Sequence, residues 1–372
     1  MAATEAARLP GSALLAAALA LPGVQPASAD SAPDQRSVSF RYLDYLDRQP
    51  GRDRVRIKAP TVHALAPLGS DWSVSGSLVS DAISGASPAY HSSALTRLRD
   101  KRQAGELSLT RYLADGTVSV GAGYSTEADY VSRGLTVQGS LSSDDRNTTW
   151  HAGLAVNRDA INPVTGAVSG ERKRVADLLF GVTRVLSSND VLRLDASASR
   201  ARGYLSDPYK LFDERPRERR STRLLLRWNH HLPSLDGTLR LHWRAFRDDW
   251  GVRAHTLGLE WVQPWRWGLS LTPQLRLHTQ SAARFYVDAQ PGPSVPLPPP
   301  DALHSSFDHR LSAFGARTWG LKLAKTLGPE WTVDVKLEHY EQRAAWRIGG
   351  RGSPGLEPFQ ARSWQVGLTR VF

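Results

Sequence analysis

The chain has 372 residues, 47 Lys and Arg against 36 Asp and Glu for a formal charge of +11, and no cysteine. The missing cysteine excludes disulfides, cysteine-ligated metals and a lipoprotein attachment site, and no run reaches the roughly 18 apolar residues of a transmembrane helix. The positive balance suits polyanions; for an exported chain these are outer-membrane lipid phosphates and lipopolysaccharide, with no nucleic acid expected.

Residues 1–29 read as a cleaved secretory signal peptide. Arg8 precedes an apolar run from Ala13 to Leu21, too short to cross a bilayer, and Ala27-Ser28-Ala29 has the small-x-small pattern of a signal peptidase site. Residues 30–372 are expected to form a single domain.

From there the dominant pattern is alternation. DVLRLDASAS (190–199) sets apolar and small residues against charged ones. In TLRLHWRAF (238–246), Leu239, Leu241, Trp243 and Ala245 fall on one side and Arg240, His242 and Arg244 on the other. LSLTPQLRLHTQ (269–280) and WTVDVKLEHY (331–340) repeat it. Successive strand side chains point to opposite faces, so each segment has one greasy and one polar face. A soluble sandwich also alternates; the spacing of the breaks decides. Tight turns fall at 68–71, 114–116, 142–147, 187–190, 234–237, 263–266 and 327–330. Longer polar connections fall between them at 84–101, 157–172, 205–218, 281–308 and 345–360, with shorter ones near 126–129 and 248–252. Short turns alternating with long loops build outer-membrane barrels. The pattern predicts an all-β, up-and-down antiparallel transmembrane β-barrel of about 16 strands, with 14 as the alternative because the first strand, near 37–47, is the weakest. The fourteenth strand is expected over 309–326.

Trp72, Trp150, Trp261, Trp265, Trp267, Trp331 and Trp364 cluster near predicted strand ends, as an aromatic girdle would. The chain finishes SWQVGLTRVF. Trp364, Val366, Leu368 and Phe372 fit the pattern that the barrel-assembly machinery reads in last strands; Arg370 departs from it.

If the apolar face meets lipid, the other lines a lumen. The candidate lining is Arg227, Arg240, His242, Arg244, Arg276, His278, Lys322 and Lys336. Such a cationic face would favour anions, or its charges could pair across strands as a solvated network; both readings stand. Two connections invite attention. SDAISGASPAYH (80–91) offers Asp81, Ser84, Ser87, Tyr90 and His91 as a ligand group, with Gly85 and Pro88 setting the turn. PGPSVPLPPPD (291–301) is too proline-rich to join a ladder.

No metal, cofactor or catalytic set is assigned. His230 and His231 are adjacent in a strand and point apart. GAGYST (121–126) is strand alternation, not a phosphate loop. A rim hydrolase built from Asp308-His309 with Asp81 and His91 is a further alternative without a motif.

The stretch APLGSDWSVSGSLVSDAISGASPAYH (66–91) resembles an uncharacterised family of bacterial outer-membrane proteins, domain of unknown function 3570. GELSLTRYL (105–113), GYSTEADYVSRGLTVQGSLSSDDRNTTW (123–150), NRDAINP (157–163) and SSFDHRLSAFGARTWGLKL (305–323) carry the resemblance further. It implies an exported barrel with no established activity. Through the family's gene neighbourhoods it also implies periplasmic redox partners. Two functions therefore compete: a channel or transporter for a small hydrophilic solute, and a non-conducting accessory barrel of an extracytoplasmic redox or metal-handling system.

Overall fold

The computed structural model describes residues 31–85, 98–288 and 297–372. Sixteen antiparallel strands form a closed barrel. They are β1 (Ser37–Gln49), β2 (Arg52–Pro67), β3 (Trp72–Gly85), β4 (Leu98–Leu113), β5 (Gly116–Thr126), β6 (Tyr130–Ser142), β7 (Thr148–Ile161) and β8 (Glu171–Val185). The second half comprises β9 (Asp190–Gly203), β10 (Glu218–Leu232), β11 (Gly237–Asp248), β12 (Arg253–Pro264), β13 (Leu269–Gln280), β14 (Phe314–Leu327), β15 (Trp331–Arg343) and β16 (Phe359–Val371). Each strand pairs with its sequence neighbours. β1 closes the ring against β16 in a ladder from Ser37↔Val371 to Arg48↔Gln360. The strand weakest in the sequence is thus the one that removes both free edges. In hydrocarbon this matters, because an unpaired backbone group there has no water to turn to.

Register assigns the two faces. One face carries rows of exposed apolar side chains, such as Leu78, Leu107, Leu135, Leu154, Leu178, Leu257, Trp319 and Leu337. Soluble cores do not expose such rows; a lipid-facing band does. The opposite face carries the charged alternates. Loop residues pack against that second face: Gln280 Nε2 donates to the backbone oxygens of Arg310 (2.9 Å) and Ser312 (2.8 Å). The charged face is therefore the interior.

The short connections, 68–71, 114–115, 143–147, 186–189, 233–236, 265–268 and 328–330, share one end with the chain terminus at Phe372. In this architecture that is the periplasmic end. Trp72, Trp150, Trp261, Trp265, Trp267 and Trp331 lie at this end, and Trp267, in a left-handed turn position (φ 61°), is 85% exposed. Trp364 differs. It sits opposite Leu337 and Asp44, partway along β16, tilted against Tyr42 at 5.4 Å. It belongs to the wall rather than to the girdle. Arg370 points outward in the row of Trp364, Val366 and Leu368, where it meets Glu330 at 3.2 Å and lies over the rings of Trp331 and Phe372. A cation at that height reaches the aqueous edge, as long basic side chains do near interfaces.

β14 begins at Phe314, not near 309. Residues 309–311 form one 3-10 turn, capped by Asp308, whose carboxylate accepts from Arg310 N. The alternation of HRLSAF imitates a strand because Leu311, Ala313 and Phe314 are all buried, but the ladder starts only at Phe314, opposite Gln280, and Leu311 is buried beneath loops. β3 also outruns the expected turn. It extends through Gly85, so Asp81 is a strand residue and Gly85 makes no turn.

Candidate functional site

The inner wall is asymmetric. From β5 to β6 it presents small and neutral groups, among them Ser119, Gly121, Gly123, Thr136 and Gln138. Across β10 and β11 it presents Arg223, Arg227, Arg240, His242 and Arg244. His242 stands directly opposite Gly258 on β12, and its ring covers that glycine so closely that a Cβ there would collide. Arg240 and Arg244 point inward and are nonetheless exposed, which requires a water-filled interior around them.

The eight candidate lining residues divide into two sets. On β13 to β15 the charges pair: Arg276 with Glu338 (3.8 Å), Lys322 with Asp334 (3.7 Å) and Lys336 with Glu338 (3.2 Å). His278 shares a hydrogen bond with Thr256 (2.8 Å) and leans on Phe314. On β10 and β11, Arg227, Arg240 and Arg244 have no ion-pair partner among the described residues, although Glu260 stands opposite Arg240 in the ladder.

Above this wall, the extracellular connections knit together. The 204–217 loop and the 281–313 loop form a two-residue bridge at Glu214 and Ser305, with N–H···O bonds of 2.8 and 2.9 Å. Trp250, Val252, Ala283 and Leu311 bury an apolar cluster beneath them, with Leu205, Phe246, Phe285 and Tyr286 packed around it. Tyr209 donates its hydroxyl to Asp129 in the connection between β5 and β6. Ser353 ties the 344–358 loop to Ala313, accepting from its N–H through Oγ at 2.9 Å.

At the centre lies a charge knot. Asp308 is fully buried. Its carboxylate takes Arg310 Nε at 2.8 Å, Arg215 Nη2 at 2.7 Å and Lys210 Nζ at 3.6 Å. Arg310 also reaches Asp207 (3.0 Å), Arg215 reaches Asp213 (2.8 Å), and Ser306 Oγ donates to Asp213. Three carboxylates face three cations. Burial alone would raise the Asp308 carboxyl, but Arg310, Lys210 and Arg215 override it and hold it well below the usual carboxylate range. His309 lies between this knot and Phe359, over which Arg54 also stacks at 4.8 Å. Burial, reinforced by Arg54, holds the imidazole well below its ordinary range. Its Nδ1 is 3.6 Å from Asp308, too far for a hydrogen bond, and among the described residues it has no hydrogen-bond partner. Asp308 is already saturated by cations, so the ring stays neutral.

The loop ligand group does not assemble among the described residues. Asp81 is buried on β3 in an ion pair with Arg102 (3.0 Å) on β4. Ser84 lies in β3 opposite Arg56 and Arg99. Ser87, Tyr90 and His91 lie outside the described residues, as do the signal segment and the first part of the proline-rich run. Asp81 and Asp308 are held by different cations and share no partner. Among the described residues no three His, Asp or Glu side chains converge as a metal site. His230 turns to Asp190 (2.8 Å) and His231 to Thr238 (3.3 Å), on opposite faces. The knot itself escaped sequence reading except for Asp308 and His309. Its members are up to 103 residues apart, and no periodicity marks them.

A closed sixteen-stranded barrel with a lipid-facing apolar band, an aqueous charged interior, short turns at one end and packed loops at the other is an outer-membrane β-barrel protein. The sequence matches the family described as "Protein of unknown function (DUF3570)" over residues 11–98, 94–172 and 166–361, and the chain belongs to that family. No curated protein matches the sequence. Among solved structures, the barrel is similar to a bacterial polysaccharide outer membrane secretin (TM-score 0.52, 9% identity, 90% of this chain and 98% of that one). It is also similar to CdiB from Acinetobacter baumannii (TM-score 0.50, 9% identity, 89% of this chain and 60% of that one). OccK2 (OpdF) from Pseudomonas aeruginosa, solved in complex with glucuronate, aligns at TM-score 0.46 and 11% identity over 92% of this chain and 98% of that one. These likenesses are of fold.

Proposed function

We propose that the protein is a channel for a small hydrophilic anion. One observation carries this reading. Arg227, Arg240 and Arg244 sit on neighbouring strands, face the interior and lack acidic partners among the described residues. Sixteen strands leave room for an aqueous passage, and unpaired cations along it lower the barrier for anions while raising it for cations. The paired set on β13 to β15 contributes width and hydration but little net field.

The reading is tested in a planar bilayer under a salt gradient. The expected result is discrete open steps with an anion-biased reversal potential. Replacing Arg227, Arg240 and Arg244 together by Glu should invert the sign of that potential, whereas Lys322→Gln, which acts on a paired charge, should leave the sign unchanged. A folded barrel whose selectivity ignores the triple replacement would remove the anion assignment.

A second reading, a non-conducting accessory barrel, draws on the packed mouth, where loops from four connections interlock. A folded barrel that never conducts, with the mouth intact or loosened, would favour it.

A further inference from the structure

The lipid-facing side of the barrel carries a row of arginines that the sequence does not display as a row. Arg133 on β6 is the register partner of Arg158 on β7, which partners Arg174 on β8, which partners Arg202 on β9. All four are exposed. Four strands at about 4.8 Å spacing put these guanidiniums along an arc of about 15 Å. Like charges directly opposite each other across strands are destabilising unless something neutralises them. Among the described residues Arg133, Arg158 and Arg174 have no acidic partner. Arg202 shares one carboxylate, Glu218, with Arg200 and Arg220, at 3.3, 2.8 and 2.7 Å. The row ends at Glu218, the register partner of Arg202; Arg247 opposite Arg253 on β11 and β12 adds two more outward arginines two steps lower, in the row of Thr222 and Ala198.

The far side of the barrel is different. There Arg56 meets Asp44 at 2.7 Å, and Glu341 serves Arg317 and Arg343. Among the described residues the sector β6 to β9 is the one where outward arginines stand directly opposite one another across four successive strands.

Its height and neighbours specify the occupant. One step toward the periplasm, the same outward face carries Leu135, Val156, Ala176 and Arg200, and the next carries Val137, Leu154, Leu178 and Ala198. The arginines sit at the extracellular rim of the apolar band. Beside them a surface depression of about 570 Å³ is floored by Leu154, Ala176, Leu178 and Ala198 and edged by Arg200, Arg220 and Arg247, with Asp248 and Asp249 at the same rim and Asp248 held by Arg219 at 2.6 Å. Small side chains below and guanidiniums above shape a seat for an acyl chain under an anionic headgroup.

We infer that this sector binds a phosphate-bearing lipid of the outer leaflet, one with at least two phosphate groups spaced to bridge adjacent arginines. The guanidinium fork matches phosphate bidentately, which a lysine point charge does not. The bound headgroups supply the negative charge that the register leaves out. This assignment is independent of the channel reading, since it concerns the outer wall alone.

The test uses the intact barrel purified in a neutral detergent and titrated with diphosphorylated lipid A, with the same lipid stripped of its phosphates, and with inorganic phosphate. Binding is read by native mass spectrometry. The diphosphorylated lipid should bind at least tenfold more tightly than the stripped one. Arg158→Gln with Arg174→Gln should abolish most of that difference, while Arg317→Gln, on the far side, should preserve it. Should the glutamine pair fail to fold, Arg158→Lys with Arg174→Lys keeps the charge and loses the fork, and should weaken binding by a smaller factor. Equal binding of both lipids, or variants on the row that bind as the parent does, would overturn the inference. Displacement of the lipid by equimolar inorganic phosphate would replace it with a free-anion site.

Discussion

Replacing Asp308 by Asn should open the mouth without unfolding the barrel. The substitution keeps the shape and removes the charge that Arg310, Arg215 and Lys210 converge on. It leaves three cations facing two carboxylates in a buried space. Breaking a buried pair by removing one partner costs about 3–5 kcal/mol, because the stranded charge cannot be resolvated in place. The wall does not share this loss, since its strands are held by their own ladder and by closure of β1 on β16. The expected result is retained heat-modifiable migration of the folded barrel, new protease cleavage in the 204–217 and 281–313 loops, and larger single-channel conductance. Glu171→Gln is the control. It removes the half-buried partner of the exposed Arg217 (2.6 Å), and pairs open to solvent contribute about 0–1 kcal/mol. If Asp308→Asn leaves cleavage and conductance at the parent level, the knot does not hold the loops.

Acidification should loosen the same mouth, and His309 should set where this begins. The ring is half-buried and neutral, packed on Phe359 and confronted by Arg54, Lys210 and Arg310 as well as Asp308. Once the loops open, the imidazole recovers an ordinary value near 6.5. Below about pH 6.5 the open form therefore binds a proton that the packed form does not, so the packed form loses stability as pH falls, by about 1.4 kcal/mol per pH unit. Asp308 works in the same direction but later. Its depressed carboxyl gives stability above about pH 3.9 that is lost only in stronger acid. Loop protection against protease, followed from pH 7.5 to 5, should decline in the parent and stay flat in His309→Gln. A variant with the parent's profile would assign the acid response elsewhere.

If the proposed channel conducts, wall and mouth would act in series. The arginines of β10 and β11, which lack acidic partners among the described residues, would set the sign of what crosses, and the loops above how much. The first is a property of the wall and should survive loop release; the second should not.

The sequence by itself determined the barrel. Alternation such as Leu239, Leu241 and Trp243 against Arg240, His242 and Arg244 fixes two faces, because strand side chains repeat every second residue. Short turns alternating with long loops fix the up-and-down order and the even strand count. The same alternation misplaced the start of β14, since Leu311 and Phe314 are apolar for loop packing and not for lipid. Tertiary structure alone decided three things. It decided which lining charges pair, as Lys322 with Asp334, and which among the described residues do not, as Arg240 and Arg244, because ion pairing depends on register between strands. It brought Asp207, Asp213 and Asp308 to one point, because contacts between loops 100 residues apart leave no local period to read. And it aligned Arg133, Arg158, Arg174 and Arg202, each near a strand end, into a row that exists only once four strands are placed side by side.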